Sequence, residues 1–212
     1  MDLRFLLGAA LVAALFLAAG LAGLDRPLAE WVHASGIENA RLFAWGLAAL
    51  DVISGLRLWI CALPWIAILI GTFELRLQRR VRLGYALLGA GLVQTAAIET
   101  MITGKEIFGR LRPLQVLASG DWSRVWFAGG ESFPSGHSAF YFGLLLPLAA
   151  ACPIRWLRIV LVAIPVYVGL ARIDLAKHFV SDVSASVLMV SIYSLIAAWL
   201  MRRWLPAPPV RA

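Results

Sequence analysis

FLLGAALVAALFLAAGLAGL, residues 5–24, runs for twenty positions without one charged side chain. At 1.5 Å per residue a helix of that length rises about 30 Å, the thickness of a bilayer's hydrocarbon core. It exceeds the apolar core of a cleaved leader, about 7–15 residues, and is therefore read as a retained first membrane span. Working outward, further apolar runs lie at 58–73, 83–103, 138–154, 156–170 and 183–201. Several are short and would rely on flanking Arg, Lys and Trp as interfacial anchors. Composition agrees, with 61% hydrophobic and 15% charged residues among 212 and a mean hydropathy of +0.83. The expected fold is all-α, an integral membrane bundle of six transmembrane helices. Residues 25–57, where Trp31, Leu42, Phe43, Trp45 and Leu47 alternate with charges, are expected to form an interfacial helix between spans one and two. Residues 1–201 form one membrane domain and 202–212 a cytoplasmic tail. Cys61 and Cys152 lie in apolar runs without metal-site spacing and read as small core fillers.

The formal charge of +7 follows the topology of such a bundle. Arg4, the group Arg76, Arg79, Arg80 and Arg82, the pair Arg155 and Arg158, and Arg202, Arg203 and Arg211 flank alternate ends of the spans. By the positive-inside rule these ends are cytoplasmic, with both termini inside. Anionic lipid headgroups, not nucleic acid, are the natural partners of that charge. Segments 25–57, 104–137 and 171–182 then face outward, yet they too carry cations. Lys105, Arg110, Arg112, Arg124, Arg172 and Lys177 crowd into the last two, beside His137 and His178. Topology alone does not account for that concentration.

Three short patterns fall within it. In KEIFGRLRP, residues 105–113, Lys105 and Arg112 are seven apart. On a continuous helix they share a face and meet one anion, with Pro113 ending the regular structure. In ESFPSGHSAF, residues 131–140, the turn at Pro134, Ser135 and Gly136 opens a helix whose first N–H groups offer an anion site beside His137. In RIDLAKHFVSD, residues 172–182, His178 and Asp182 are four apart, so Asp182 is expected to accept a hydrogen bond from one ring nitrogen. The other nitrogen is left as a lone pair, the arrangement of an activated nucleophile. Arg172 adds a forked donor suited to a phosphate-like anion. Two histidines, several cations and a helix N-terminus suit a tetrahedral oxyanion.

Lys105 to Arg112-Pro113, Pro134-Ser135-Gly136-His137 and Arg172 to His178 to Asp182 resemble, in that order, the three signatures of the type 2 phosphatidic acid phosphatase (PAP2, lipid phosphate phosphatase) family. The resemblance implies that His178 attacks phosphorus to form a phosphohistidine, oriented by Asp182. It implies that His137 protonates the leaving group and that Lys105, Arg112, Arg172, Ser135 and the Gly136 backbone hold the phosphate. Cations then replace metal ions, and no metal or other cofactor is expected. Ala171 stands where the family carries Ser, removing one phosphate contact. Asp174 and Lys177 read as interfacial charges. Glu99 and Glu106 are assigned Lys105 or Arg110 as charge partners, and Trp122, Trp126 and Phe127 either line the entry or anchor it. The implied substrate is a lipid phosphate in the bilayer: undecaprenyl diphosphate, phosphatidylglycerol phosphate, phosphatidate or a lipid A phosphate. Catalysis would face the periplasm or exterior of a bacterial inner membrane. A phosphotransferase using the same intermediate, and a non-catalytic lipid-binding protein, are the alternatives. Vanadium haloperoxidases share the motifs but are soluble.

Overall fold

The structure, a computed structural model, describes residues 1–35, 40–56, 62–78 and 80–204. Arg57, Arg79, Cys61, the first residues of the 58–73 span and the tail from 205, with Arg211, lie outside the described residues. Those described are helical with no strand. Helix α1 (Leu3–Ala19) passes through a π-helical turn (Gly20–Leu24) into α2 (Asp25–Ala34), and α3 (Arg41–Ser54) follows. Next come α4 (Ala62–Arg76), α5 (Val81–Phe108), α6 (Pro113–Ser119), α7 (Gly136–Ala151), α8 (Arg155–Asp174) and α9 (Val180–Trp204).

Four stretches among the described residues are long and apolar enough to cross a membrane: Leu3–Ala34, Val81–Ser119, Arg155–Asp174 and Val180–Arg203. The other two expected spans correspond to α4, described from Ala62, and α7, of 16 residues. At roughly 24 Å, α7 falls short of a core of about 30 Å. Where one interfacial helix was expected between the first two spans, the described residues hold α2, which continues from α1, and α3. Outward-facing Leu7, Leu11, Leu15 and Phe16 on α1, and Ile159, Val166 and Leu170 on α8, give these helices an apolar exterior.

Close approach of backbones builds the bundle. A Cβ on Gly71 of α4 would lie 2.6 Å from the Leu88 nitrogen and 2.8 Å from the Gly84 oxygen of α5, so only glycine permits that helix contact. One apolar cluster joins Leu6 of α1 to Val93, Ala97 and Met101 of α5, Phe142 and Leu146 of α7 and Val190 of α9. A second joins Leu47 of α3 to Ile98, Phe140, Tyr141, Val168 and Ala171.

The two ends of the bundle differ in charge chemistry. At one end the Asp2 nitrogen donates to the Ala150 oxygen, Arg158 pairs with Asp2 at 3.1 Å, and Arg202 donates to the Met1 carbonyl at 3.0 Å. The chain's start, the 152–154 turn and the end of α9 therefore meet there. His137 and His178 sit at the other end, where α5 and α8 finish and α7 and α9 begin.

Candidate active site

Helix α5 stops at Phe108 because Gly109 turns left-handed at φ +48°, letting its carbonyl accept from the Ala128 and Gly130 nitrogens at 2.9 Å each. Lys105 and Arg112 therefore do not share one helix, contrary to the spacing argument. Pro113 does not end regular structure either; it opens α6, with Arg112 as its N-cap. The two cations nonetheless converge by folding: Lys105 lies within electrostatic reach of Arg112 and Arg172. Glu131 lies 3.6 Å from the Arg112 guanidinium. A Cβ on Gly136 would lie 3.6 Å from Lys105 Nζ, which places that ammonium over the first turn of α7. Arg172 Nε is buried and has no hydrogen-bond partner among the described residues. A buried cationic donor in that state suits an anion.

Ser135 caps α7. Its Oγ accepts from Ser138 Oγ at 2.9 Å, its nitrogen donates to the Asp182 carbonyl, and its own carbonyl accepts from Ser186 Oγ at 2.9 Å. The turn is thus riveted to α9, and the Ser135 hydroxyl is occupied by its own helix. The N–H groups of Gly136 and His137 are the first two of α7, where no intrahelical carbonyl is available.

The loop 175–179 folds back on the end of α8, its Lys177 and His178 nitrogens donating to the Arg172 carbonyl. His178 is buried there, with Nδ1 2.7 Å from the Ser132 carbonyl oxygen. Asp182 Oδ2 stands 3.6 Å from the same nitrogen, too far for a hydrogen bond. The expected His178–Asp182 hydrogen bond is replaced for a physical reason: Asp182 is saturated elsewhere. Its oxygens take Arg110 at 2.5 Å, Ser132 Oγ at 2.6 Å and the Phe179 nitrogen at 2.8 Å. With Nδ1–H donated to a carbonyl, Nε2 carries the lone pair. Burial pushes the His178 imidazole below its ordinary value, opposed by Asp182 and reinforced by Arg172 and Lys105. Burial thus favours the neutral ring.

Arg110 is not the charge partner of Glu99 or Glu106. Both glutamates face outward, while Arg110 turns inward. It bridges Asp182 to Asp25, at 2.7 Å, and donates to Ser181 Oγ at 2.6 Å. Asp25 in turn takes the Ser181 nitrogen at 3.0 Å and the Ser181 hydroxyl. The guanidinium is sandwiched between Trp126 and Phe179, 4.2 and 4.1 Å from their ring centres. Trp126 also packs edge-on against Phe108 and Phe133, and Trp122 lies 5.1 Å from Arg26, whereas Phe127 is exposed. Gly20 lets this junction close, since a Cβ there would lie 2.8 Å from Asp25 Oδ1 and from Ser181 Cβ.

Asp174 is no interfacial charge either. It is buried and accepts from the Ala40 nitrogen at 3.0 Å, tethering the start of α3. That helix brings Asp51, which the sequence reading passed over, to 3.2 Å from His137 Nε2. His137 also lies within electrostatic reach of Arg172 and His178, so both histidines share one site. Ala171 is fully buried in the cluster of Ile98, Phe140, Tyr141 and Val168. Among the described residues no group of three or more His, Cys, Asp or Glu is arranged for a metal ion.

A family model described as the PAP2 superfamily matches residues 80–207. Two curated relatives are named lipid A 1-phosphatase. The one from Rhizobium etli is 33% identical over 122 residues, covering 52% of this chain and 49% of that protein. The one from Rhizobium johnstonii is 32% identical over 127 residues, covering 55% and 49%. The chain thus spans about half the length of the curated relatives it matches. No solved structure matches it significantly.

Proposed function

This chain belongs to the PAP2 superfamily, and on that premise we propose that it is a membrane phosphatase that hydrolyses a lipid phosphate through a phosphohistidine. The observation that carries this reading is the 2.7 Å contact between His178 Nδ1 and the Ser132 carbonyl oxygen. A carbonyl only accepts, so Nδ1 carries the hydrogen and Nε2 is left as a lone pair within electrostatic reach of Arg172 and Lys105.

In the first step His178 Nε2 attacks phosphorus, the bond to the lipid oxygen breaks, and His137 supplies the proton that this oxygen takes up. In the second, water attacks phosphorus and gives a proton to His137; inorganic phosphate leaves and His178 recovers its lone pair. Lys105, Arg112 and Arg172, with the Gly136 and His137 amides, offset the charge on the non-bridging oxygens. Ser135 and Asp182 support this from behind, through the α7 cap and through Arg110, Ser132 and the Phe179 amide.

The relatives' name favours a lipid A type phosphate among the candidate lipids. An apolar crevice of about 910 Å³ between α1, α2, α8 and α9, lined by Phe16, Trp31, Phe142 and Val166, reaches Asp174 and Val180 on either side of the His178 loop. It offers acyl chains a place beside the phosphate site. The arginine-rich end would face the cytoplasm with both termini, and the site would open on the outer face of a bacterial inner membrane. Purified protein should release inorganic phosphate from at least one of lipid A 1-phosphate, phosphatidate and undecaprenyl diphosphate assayed in parallel. Release that persists in His178→Ala, or no release from any of the three, defeats this reading.

A further inference from the structure

The family match begins at residue 80, so α3 lies outside it. That helix still reaches the reaction site. Asp51 of α3 places Oδ2 3.2 Å from His137 Nε2, while its Oδ1 accepts the Tyr141 hydroxyl at 3.1 Å. His137 and Tyr141 are four apart on α7 and so share a face. The Tyr141 oxygen is 2.9 Å from Ser54 Oγ, one turn beyond Asp51; since Tyr141 gives its hydrogen to Asp51, Ser54 donates to Tyr141. Asp51 is thus gripped on one oxygen and presents the other to the imidazole, with only 12% of its side chain exposed.

The helix carrying it is strapped to α8 at two points. Asp174 holds the Ala40 nitrogen, and the Tyr167 hydroxyl donates to the Leu42 carbonyl at 2.5 Å. The Phe43 and Tyr167 rings pack 5.4 Å apart beside that bond. The groups facing His137 are otherwise cationic or neutral: Arg172 from α8, His178 from the 175–179 loop and Lys105 beside the first turn of α7. Asp51 is the carboxylate in direct contact with it.

We infer that Asp51 is a positioning residue for His137: it holds Nε2–H and leaves Nδ1 as the nitrogen that exchanges protons at the reacting phosphate. The inference rests on the phosphatase reading. In the acid step imidazolium gives its Nδ1 proton to the leaving oxygen and keeps Nε2–H on Asp51; in the hydrolytic step Nδ1 takes a proton from water. No other group changes protonation. This mirrors how a carboxylate fixes a histidine's tautomer in other acid–base sites.

The test exploits the leaving group. A lipid alkoxide needs the proton from His137, whereas the phenol of an activated aryl phosphate departs without it. In Asp51→Asn, which keeps the shape and loses the charge, single-turnover release of the lipid should slow by about 10–100-fold, with aryl release changed less than about threefold. Equal slowing of both, or of neither, overturns the inference. A second readout does not depend on turnover: ¹⁵N shifts of histidine-labelled protein, assigned with His137→Gln, should show His137 as the Nε2–H tautomer, and Asp51→Ala should abolish that preference. An unchanged tautomer overturns the inference. Wild-type protein inert toward both phosphates defeats the phosphatase reading, and the tautomer alone then decides the role of Asp51.

Discussion

The Nδ1 of His178 lies 2.7 Å from the carbonyl oxygen of Ser132, 46 positions earlier in the chain. A backbone group, not a carboxylate, fixes the ring. Replacing the Ser132 side chain leaves that carbonyl in place. Ser132→Ala should therefore retain phosphate release within a few-fold, while losing about 1 kcal/mol of stability with its bond to Asp182. His178→Ala should release no measurable phosphate, and rapid-quench trapping should detect no phosphoenzyme.

Arg110 shares its charge between Asp25 and Asp182, with about 5% of its side chain exposed. Removing one partner strands the others in a buried site. Arg110→Ala and Asp182→Ala should each destabilise the protein by about 3–5 kcal/mol, read as a large fall in Tm in detergent. Arg110→Lys should recover only part of this, since an ammonium lacks the fork that serves two carboxylates and the flat face that stacks on Trp126 and Phe179.

The depressed His178 pKa sets the acidic limb of the pH response. With the neutral ring as the proposed nucleophile, kcat/KM should hold as pH falls through the ordinary histidine value of 6.5 and drop only at lower pH. The sign for stability is related. Between the folded and unfolded values the unfolded chain binds the extra proton, so stability declines as pH drops below about 6.5 and is restored above it. Because Asp182 favours the charged ring, Asp182→Asn should move the acidic limb of kcat/KM to still lower pH. A limb that moves upward, in a pH series on this variant, contradicts the assignment.

The helical class and the three motif segments were legible because each is written in contiguous residues. Lys105, Arg112, His137, Arg172 and His178 do come together at one end of the bundle. Pairings were less legible. Nothing near Asp25 or Asp51 in the chain marks them, since their partners lie 85 and 86 positions away. The interval of four between His178 and Asp182 invited a helical hydrogen bond, but α9 begins at Val180, so His178 precedes the helix and its ring turns to Ser132 instead. Likewise the interval of seven from Lys105 to Arg112 presumed a helix that Gly109 ends. The span count was blurred by α7, which is apolar but short.

Ala171 is buried against Phe140 and Val168 rather than turned to the phosphate site. Ala171→Ser should bond back to its own helix, as Ser191 and Ser194 do at 2.7 Å, and leave KM for the lipid within about twofold. A KM lowered tenfold shows instead that the hydroxyl reaches substrate.

The Arg110 junction joins residues 25, 110 and 182, which leave the ribosome far apart in time. When Arg110 is made, Asp25 already awaits it, but Asp182 and the sandwiching Phe179 do not yet exist. The junction is therefore complete only in a chain that has been made through the start of α9.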